Sequence, residues 1–207
     1  MKIVIADDHV LVRKGIRLIL TDAYADIRIE EAGDGEELLD KVKNERWDII
    51  ISDISMPGRS GIEIIREIRQ AAPKTPILIL SSHPAEQYAM RILRAGASCY
   101  LTKESATEEL IKAVETLCTG KRYFSQEVVE LLTASVDEND CGQLHAKLTD
   151  REFEVMRQLT TGKTVSELSS KLSVSRNTVS IYKTRILEKL QVANTVDLIR
   201  YSVEKGL

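Results

Sequence analysis

Five short apolar runs punctuate the first part of the chain, and amphipathic segments fill the gaps between them. Lys2–Ala6, Ile27–Ala32, Asp48–Ser52, Ile77–Ser81 and Cys99–Leu101 read as strands. Three of these are near-continuous Ile, Val and Leu, the pattern of strands covered on both faces. Helical spacing follows each run. Val10–Ala23 places Leu11, Gly15, Leu18 and Ile19 on one apolar face, and Gly35–Arg46 follows the turn Gly33-Asp34-Gly35. Ser60–Ala72 stops before Pro73, Pro84–Ala95 closes on Gly96, and Ala106–Thr119 ends at Gly120. Five β–α units in series predict a parallel sheet with helices on both faces.

From about Lys121 the pattern becomes purely helical. Ser125–Ser135 reads as one short amphipathic helix, and the polar, acidic stretch Val136–Ala146 reads as a connector. Helical patterns then cover Asp150–Thr161, Val165–Leu172, Ser175–Leu190 and Asn194–Lys205. The expected division is residues 1–122 as a first domain, 123–146 as a linker carrying a short helix, and 147–207 as an all-α four-helix domain.

Composition changes this picture mainly through its distribution. Of 207 residues, 43% are hydrophobic and 29% charged, which fits a water-soluble globular chain. The formal net charge is −3, but Lys147–Leu207 holds 11 basic and 7 acidic residues, a balance of +4. Tyr123–Ala146 holds five acids and no Lys or Arg. A basic binding module behind an acidic connector is implied. The three cysteines, Cys99, Cys118 and Cys141, are widely spaced and form no CxxC, which argues for a reduced, cytoplasmic setting. The apolar run near the start is too short for a signal peptide, and no segment reaches the ~20 residues needed to span a bilayer.

Candidate chemistry collects at the carboxyl ends of the strands. In the flavodoxin-like order 2-1-3-4-5, strands one and three are neighbours, and function gathers at the strand ends near the switch point. Asp7 and Asp8 end the first strand and Asp53 the third, while Ser81 ends the fourth and Lys103 follows the fifth. Three converging carboxylates repel one another and need compensation. A lysine ammonium and a divalent cation supply it, and Mg2+ suits an all-oxygen set that keeps water for an incoming phosphate. Such a site fits phosphoryl transfer to a carboxylate, with Lys103 and the Ser81 hydroxyl facing the phosphoryl oxygens. Taken one at a time, the same residues would be ordinary turn and capping groups, with Asp8 a cap for the first helix.

The order of the Asp7-Asp8 pair, the blocks SDISMPGRSG, LILSS and RAGASCYLTK over residues 1–122 resembles the receiver domain of two-component response regulators. The resemblance implies that Asp53 is the phosphoacceptor. It implies Mg2+ on Asp7, Asp8, Asp53 and the backbone carbonyl of Ser55, phosphoryl contacts from Ser81 and Lys103, and a switch role for Tyr100. A sensor histidine kinase is the implied donor. Departures from the pattern are Ser rather than the commoner Thr at 81, Glu104 where proline is common, and Cys99 where glycine is usual.

In the basic region, Lys163–Lys171, a tight turn and Arg176–Leu190 have the form helix–turn–helix, with Ser175 as N-cap of the second helix. Val179, Tyr182, Ile186 and Leu190 share the inward face. Ser180, Ile181, Thr184 and Arg185 lie opposite, suited to a major groove, and Arg176, Thr178, Lys183 and Lys189 are placed for backbone phosphates. The same residues also describe a protein-interaction module with a solvated basic face. From Leu148 to Leu207 the chain is similar to the LuxR-type helix-turn-helix domain of NarL/FixJ response regulators. That implies double-stranded DNA as partner, pairing of two subunits through the last helix, and Gln191 at a place where glycine is familiar.

The combined expectation is a transcription factor, not an enzyme, in which phosphorylation turns Tyr100 inward and promotes homodimerisation and sequence-specific DNA binding. Two alternatives stand beside it. One is an orphan DNA-binding regulator that is never phosphorylated. The other is an Mg2+-dependent aspartyl phosphohydrolase, which would want an acid where Ser55 stands.

Overall fold

The computed structural model describes residues 1–105, 107–137, 144–172 and 174–207, the side chains of 134–137 excepted. Cys141 and residues 138–143 of the expected linker lie outside them. The chain divides into two compact units, Met1–Leu131 and Leu132–Leu207.

In the first unit, β1 (Lys2–Ala6), β2 (Arg28–Ala32), β3 (Ile49–Ser52), β4 (Ile77–Ser81) and β5 (Cys99–Thr102) form a parallel sheet in the order β2-β1-β3-β4-β5. Helices α1 (Val10–Ala23), α2 (Gly35–Asn44), α3 (Gly61–Ala71), α4 (Ala85–Ala95) and α5 (Thr107–Cys118) alternate with the strands. This is the expected flavodoxin-like (βα)5 architecture. The Ile-rich runs form its centre, and Ile3, Ile5, Ile49, Ile51 and Leu78 are all but inaccessible. Cys99 finds its explanation here: it pairs in register with Leu78 and fills the core as a small apolar group. Burial pushes its thiol far above the usual range, so the thiolate is suppressed.

One helix face differs from the sequence expectation. On α1, Ile16 and Leu20 are buried, with Val12 and Ile19 packed at the edge of the core, whereas Leu11 and Leu18 are exposed by 84% and 70%. Two apolar stripes run along this helix, and spacing alone does not say which one meets the sheet.

The first unit also runs past the expected boundary at 122. Helix α6 (Gln126–Asp137) begins within it, and Val128 is completely buried. The Tyr123 N–H donates to the Ser98 carbonyl just ahead of β5 (3.2 Å), and the Tyr123 ring packs on the core that contains Cys99 and Leu101. The Glu127 carboxylate accepts a hydrogen bond from the backbone of Ala85, the first residue of α4, and meets Glu86. Pro84, the N-cap of α4, offers no side-chain cap. A glutamate from α6 therefore serves the open N-terminal turn of α4.

In the second unit, a short 3-10 turn (Leu144–Lys147) precedes α7 (Asp150–Thr160), α8 (Val165–Lys171), α9 (Arg176–Leu190) and α10 (Thr195–Glu204). Thr149 and Glu152 close a capping box on α7, and Thr164 and Glu167 close another on α8. Ser175 caps α9 as expected, accepting from the Thr178 N–H at 3.0 Å. Val179, Ile186 and Leu190 face the core, and Tyr182 is half-buried.

Helix α9 ends at Gln191, the one non-glycine residue with positive φ among the described residues (φ 57°, ψ 38°). Val192 N–H reaches back to Leu187 O (3.0 Å), the six-to-one bond of a Schellman ending. The turn that glycine makes without strain is made here by a side-chain-bearing residue, at a cost of about 1 kcal/mol. Gln191→Gly should therefore raise stability by about 1 kcal/mol, read as a higher denaturant midpoint for the second unit's transition. An unchanged or lower midpoint would refute the strain.

A second prediction concerns Glu127. Burial, then repulsion from Glu86, raises its pKa. A carboxylate whose folded pKa lies above its unfolded value subtracts stability at pH values above both, and that loss disappears as pH falls below them. Glu127→Gln keeps the acceptor oxygen for Ala85. It should raise the melting temperature slightly at pH 7 to 8, with the gain shrinking toward pH 4; the effect is small because solvent screens the pair. A gain independent of pH would exclude the charge as its source.

Candidate functional site

The register of the sheet builds the site. Ala6 pairs with Ser52, so the next residue on each strand is an aspartate, and Asp53 N–H donates to Ala6 O at 2.8 Å. Ser81 pairs with Thr102, so Lys103 is the first residue past that pairing. Neighbouring parallel strands thus deliver Asp7, Asp53 and Lys103 to one edge. The Lys103 ammonium lies 2.6 Å from Asp7 Oδ2 and 2.8 Å from Asp53 Oδ2. Both carboxylates are buried. Burial works against the ammonium, but its bonds to Asp53 and Asp7 outweigh it and raise the Lys103 pKa.

The second oxygens are held by backbone. Asp53 Oδ1 accepts from the Ser55 N–H (3.0 Å), and Asp7 Oδ1 from the His9 N–H (2.8 Å). Gly61 sits hard against the loop after Asp53: a Cβ there would stand 2.3 Å from the Ile54 carbonyl oxygen. Only glycine lets α3 start that close. Arg13 donates to the Asp7 carbonyl and pairs with Glu31, which fixes the loop after β1.

Asp8 completes the cluster beside His9. Its Oδ1 is buried and makes no hydrogen bond, although His9 Nδ1 lies 2.8 Å away. Ligand atoms of Asp7, Asp8, His9 and Asp53 all fall within 4.8 Å of one another. An orphaned carboxylate oxygen beside two further carboxylates is the arrangement a hard divalent cation satisfies. Asp8 is not the α1 cap; that position is His9, which sequence reading passed over. Its only sequence signal was adjacency to Asp7-Asp8.

Ser81 is fully buried at the end of β4, where its Oγ accepts from the His83 N–H at 3.1 Å. Tyr100 is also buried. Its hydroxyl donates to His83 O at 2.8 Å and hydrogen-bonds Ser81 as well. Burial raises the phenol far above its ordinary range. Tyr100 faces inward here, tied to the same β4–α4 loop as Ser81.

In the second unit, Asn177, Ser180, Ile181, Thr184, Arg185 and Glu188 line one shallow concavity on α9. Ser180, Ile181, Thr184 and Arg185 lie there as expected; Arg176 is exposed, and Thr178 and Lys183 are half-exposed. Lys189 differs. Its ammonium reaches inward to the buried Glu152 (2.6 Å), the same carboxylate that accepts from the Thr149 N–H. A buried carboxylate needs a counter-charge more than a solvated phosphate site does, so the lysine is committed to the core.

Residues 3–115 match the family described as the response regulator receiver domain, and residues 146–202 match the luxR family of bacterial regulatory proteins. The chain belongs to the NarL/FixJ family of response regulators. Along its whole length this response regulator is 36% identical to the oxygen regulatory protein NreC of Staphylococcus carnosus, covering 99% of that protein. It is 31% identical over its full length to the response regulator UvrY of Escherichia coli strain K12, covering 95% of it. Among solved structures it resembles RcsB of Salmonella enterica serovar Typhimurium bound to promoter P1flhDC with the phosphomimetic BeF3−, with a TM-score of 0.69, 29% identity and 97% of each chain covered. No helix among the described residues is long and apolar enough to cross a membrane.

Lys103 holds two carboxylates that otherwise face each other unneutralised. Lys103→Met should lower the stability of this response regulator by about 3 kcal/mol in EDTA. Millimolar Mg2+ should restore part of the loss, which thermal melts with and without the ion will read. A melt indifferent to both substitution and ion would contradict the electrostatic picture.

Proposed function

We propose that this response regulator takes a phosphoryl group onto Asp53 from a phosphorylated histidine of a sensor kinase, and that the modification governs dimerisation and DNA binding. The observation that carries this reading is the pair of short contacts from Lys103 to Asp7 and Asp53, beside an Asp8 oxygen that makes no hydrogen bond. An Asp53 carboxylate oxygen attacks phosphorus, the P–N bond to the donor imidazole breaks, and an acyl phosphate forms. The electron pair stays with the imidazole, which takes a proton. Lys103 is placed to neutralise charge on the transferred group, and the backbone at Ser55 and His9 keeps the acceptor and its neighbour aimed.

Asp7, Asp8, Asp53 and the backbone carbonyl of Ser55 would hold Mg2+, which when bound offsets the negative charge of carboxylates and phosphate. Ser81 is the candidate hydroxyl donor to a phosphoryl oxygen. Because Ser81 and Tyr100 share the His83 loop, a Ser81 hydroxyl drawn toward phosphate would leave the Tyr100 hydroxyl with a different partner set. That gives the switch role of Tyr100 a physical route: the same loop opens α4.

In the second unit, Arg176, Thr178, Lys183 and Arg185 would hold phosphates along a major groove that admits α9. Exposed Val196, Ile199 and Val203 at three- and four-residue steps on α10 support subunit pairing there. The RcsB structure on promoter DNA supports the same assignment by similarity. The first unit, Met1–Leu131, acts as the receiver and 147–207 as the DNA-binding part, and the working compartment is the cytoplasm.

Incubation with radiolabelled acetyl phosphate and Mg2+ should label the wild-type chain with an acid-stable, base-labile phosphate. Asp53→Asn or EDTA should remove the label, and Asp53→Asn should remove the accompanying gain in DNA affinity. Label retained on the Asp53→Asn variant would overturn the assignment.

A further inference from the structure

The centre line of the DNA-facing stripe on α9 is not basic. At 100° per residue, Asn177, Ile181, Thr184 and Glu188 fall within a narrow arc, and all four line the concavity described above. Lys183 and Arg176 lie on one flank of that arc and Arg185 on the other. The row starts in the first turn of the helix and ends in its last. At 1.5 Å per residue it spans roughly 16 Å, about five base-pair steps.

The chemistry of the row is distinctive. Asn177 and Glu188 are exposed, and no hydrogen bond or ion pair engages either side chain among the described residues. Three other acids in the second unit are engaged: Glu152 has Lys189, Glu167 caps α8, and Asp197 meets Arg200. A lone unpaired carboxylate on a surface meant for a polyanion lowers phosphate affinity, so it contributes nothing to non-specific binding. What a carboxylate can do in a major groove is accept a hydrogen bond from an exocyclic amine, chiefly cytosine N4. An amide can bond adenine N6 and N7 together, and the Ile181 side chain can touch a thymine methyl.

We propose that the row Asn177, Ile181, Thr184 and Glu188 sets the base sequence this regulator reads. Asn177 and Glu188 are its two discriminating ends, and the flanking cations supply affinity without choosing bases. Glu188 acts partly by exclusion: opposite an acceptor-only base edge its charge is repelled, so wrong sites are penalised. The inference rests on the proposed DNA-binding role of the second unit and says which of its residues carry the choice.

The test uses the full-length chain, phosphorylated with acetyl phosphate, and a randomised duplex library followed by single-base variants of the selected site. Asn177→Ala should lose discrimination of roughly 5- to 150-fold at one position and little elsewhere. Glu188→Gln should change the preferred base at a different position, several steps away. Lys183→Ala should weaken all sequences alike and flatten the salt dependence by about one unit of slope. All three residues reach solvent, and circular dichroism melts check that each variant is folded. If Asn177→Ala and Glu188→Gln merely rescale affinity for every sequence, the row does not read bases and the inference falls while DNA binding stands. If the wild type selects no sequence, the DNA-binding proposal falls first.

Discussion

Parallel pairing of β1 with β3 stops at Ala6 and Ser52, and the next residue on both strands is an aspartate. Two buried like charges at the end of one sheet would push the strand ends apart. The Lys103 ammonium, delivered from β5, holds them together at 2.6 and 2.8 Å. Much of the first unit serves this contact. The continuous Ile runs keep the strands in register, Gly61 lets α3 begin close behind Asp53, and Arg13 pins the loop after β1. The site is thus a place where the fold brings charges together that one cation only partly offsets. The surplus is negative and lies at the carboxyl edge of the sheet.

The second unit solves a similar problem differently. Glu152 is buried, and its carboxylate both closes the α7 capping box and takes the Lys189 ammonium from α9. Helix α9 is thereby fastened to α7 through one oxygen. Its opposite end is fixed by Ser175, and its exit by the left-handed Gln191. A helix held at both ends presents its outer row with little freedom.

Much of this was legible in the sequence because it depends on period and punctuation. The β–α alternation, the strand-end acids, Lys103, and the helix–turn–helix with its Ser175 cap all rest on local signals. What escaped depends on tertiary choices. Helix α1 carries two apolar stripes, and only packing on the sheet selects Ile16 and Leu20 over Leu11 and Leu18. Lys189 has the look of a phosphate ligand until a buried partner, thirty-seven residues earlier, claims it. His9 enters the acidic cluster through backbone geometry that no spacing rule reports. Tyr123 and Val128 look like linker residues because their polar, acidic surroundings say nothing of the surface they cover.

That cover has a consequence for how the molecule can be divided. β5 is the outermost strand on its side of the sheet, and an uncovered rim of that kind is a template for pairing with foreign chains. Here Tyr123 bonds to the backbone just before it and packs on the core, and Glu127 reaches the first residue of α4. A fragment cut after Arg122 would bare an apolar seat and lose the acceptor at the start of α4. The natural scissors point for a self-sufficient amino-terminal fragment lies beyond Leu131, inside what composition alone would label a tether.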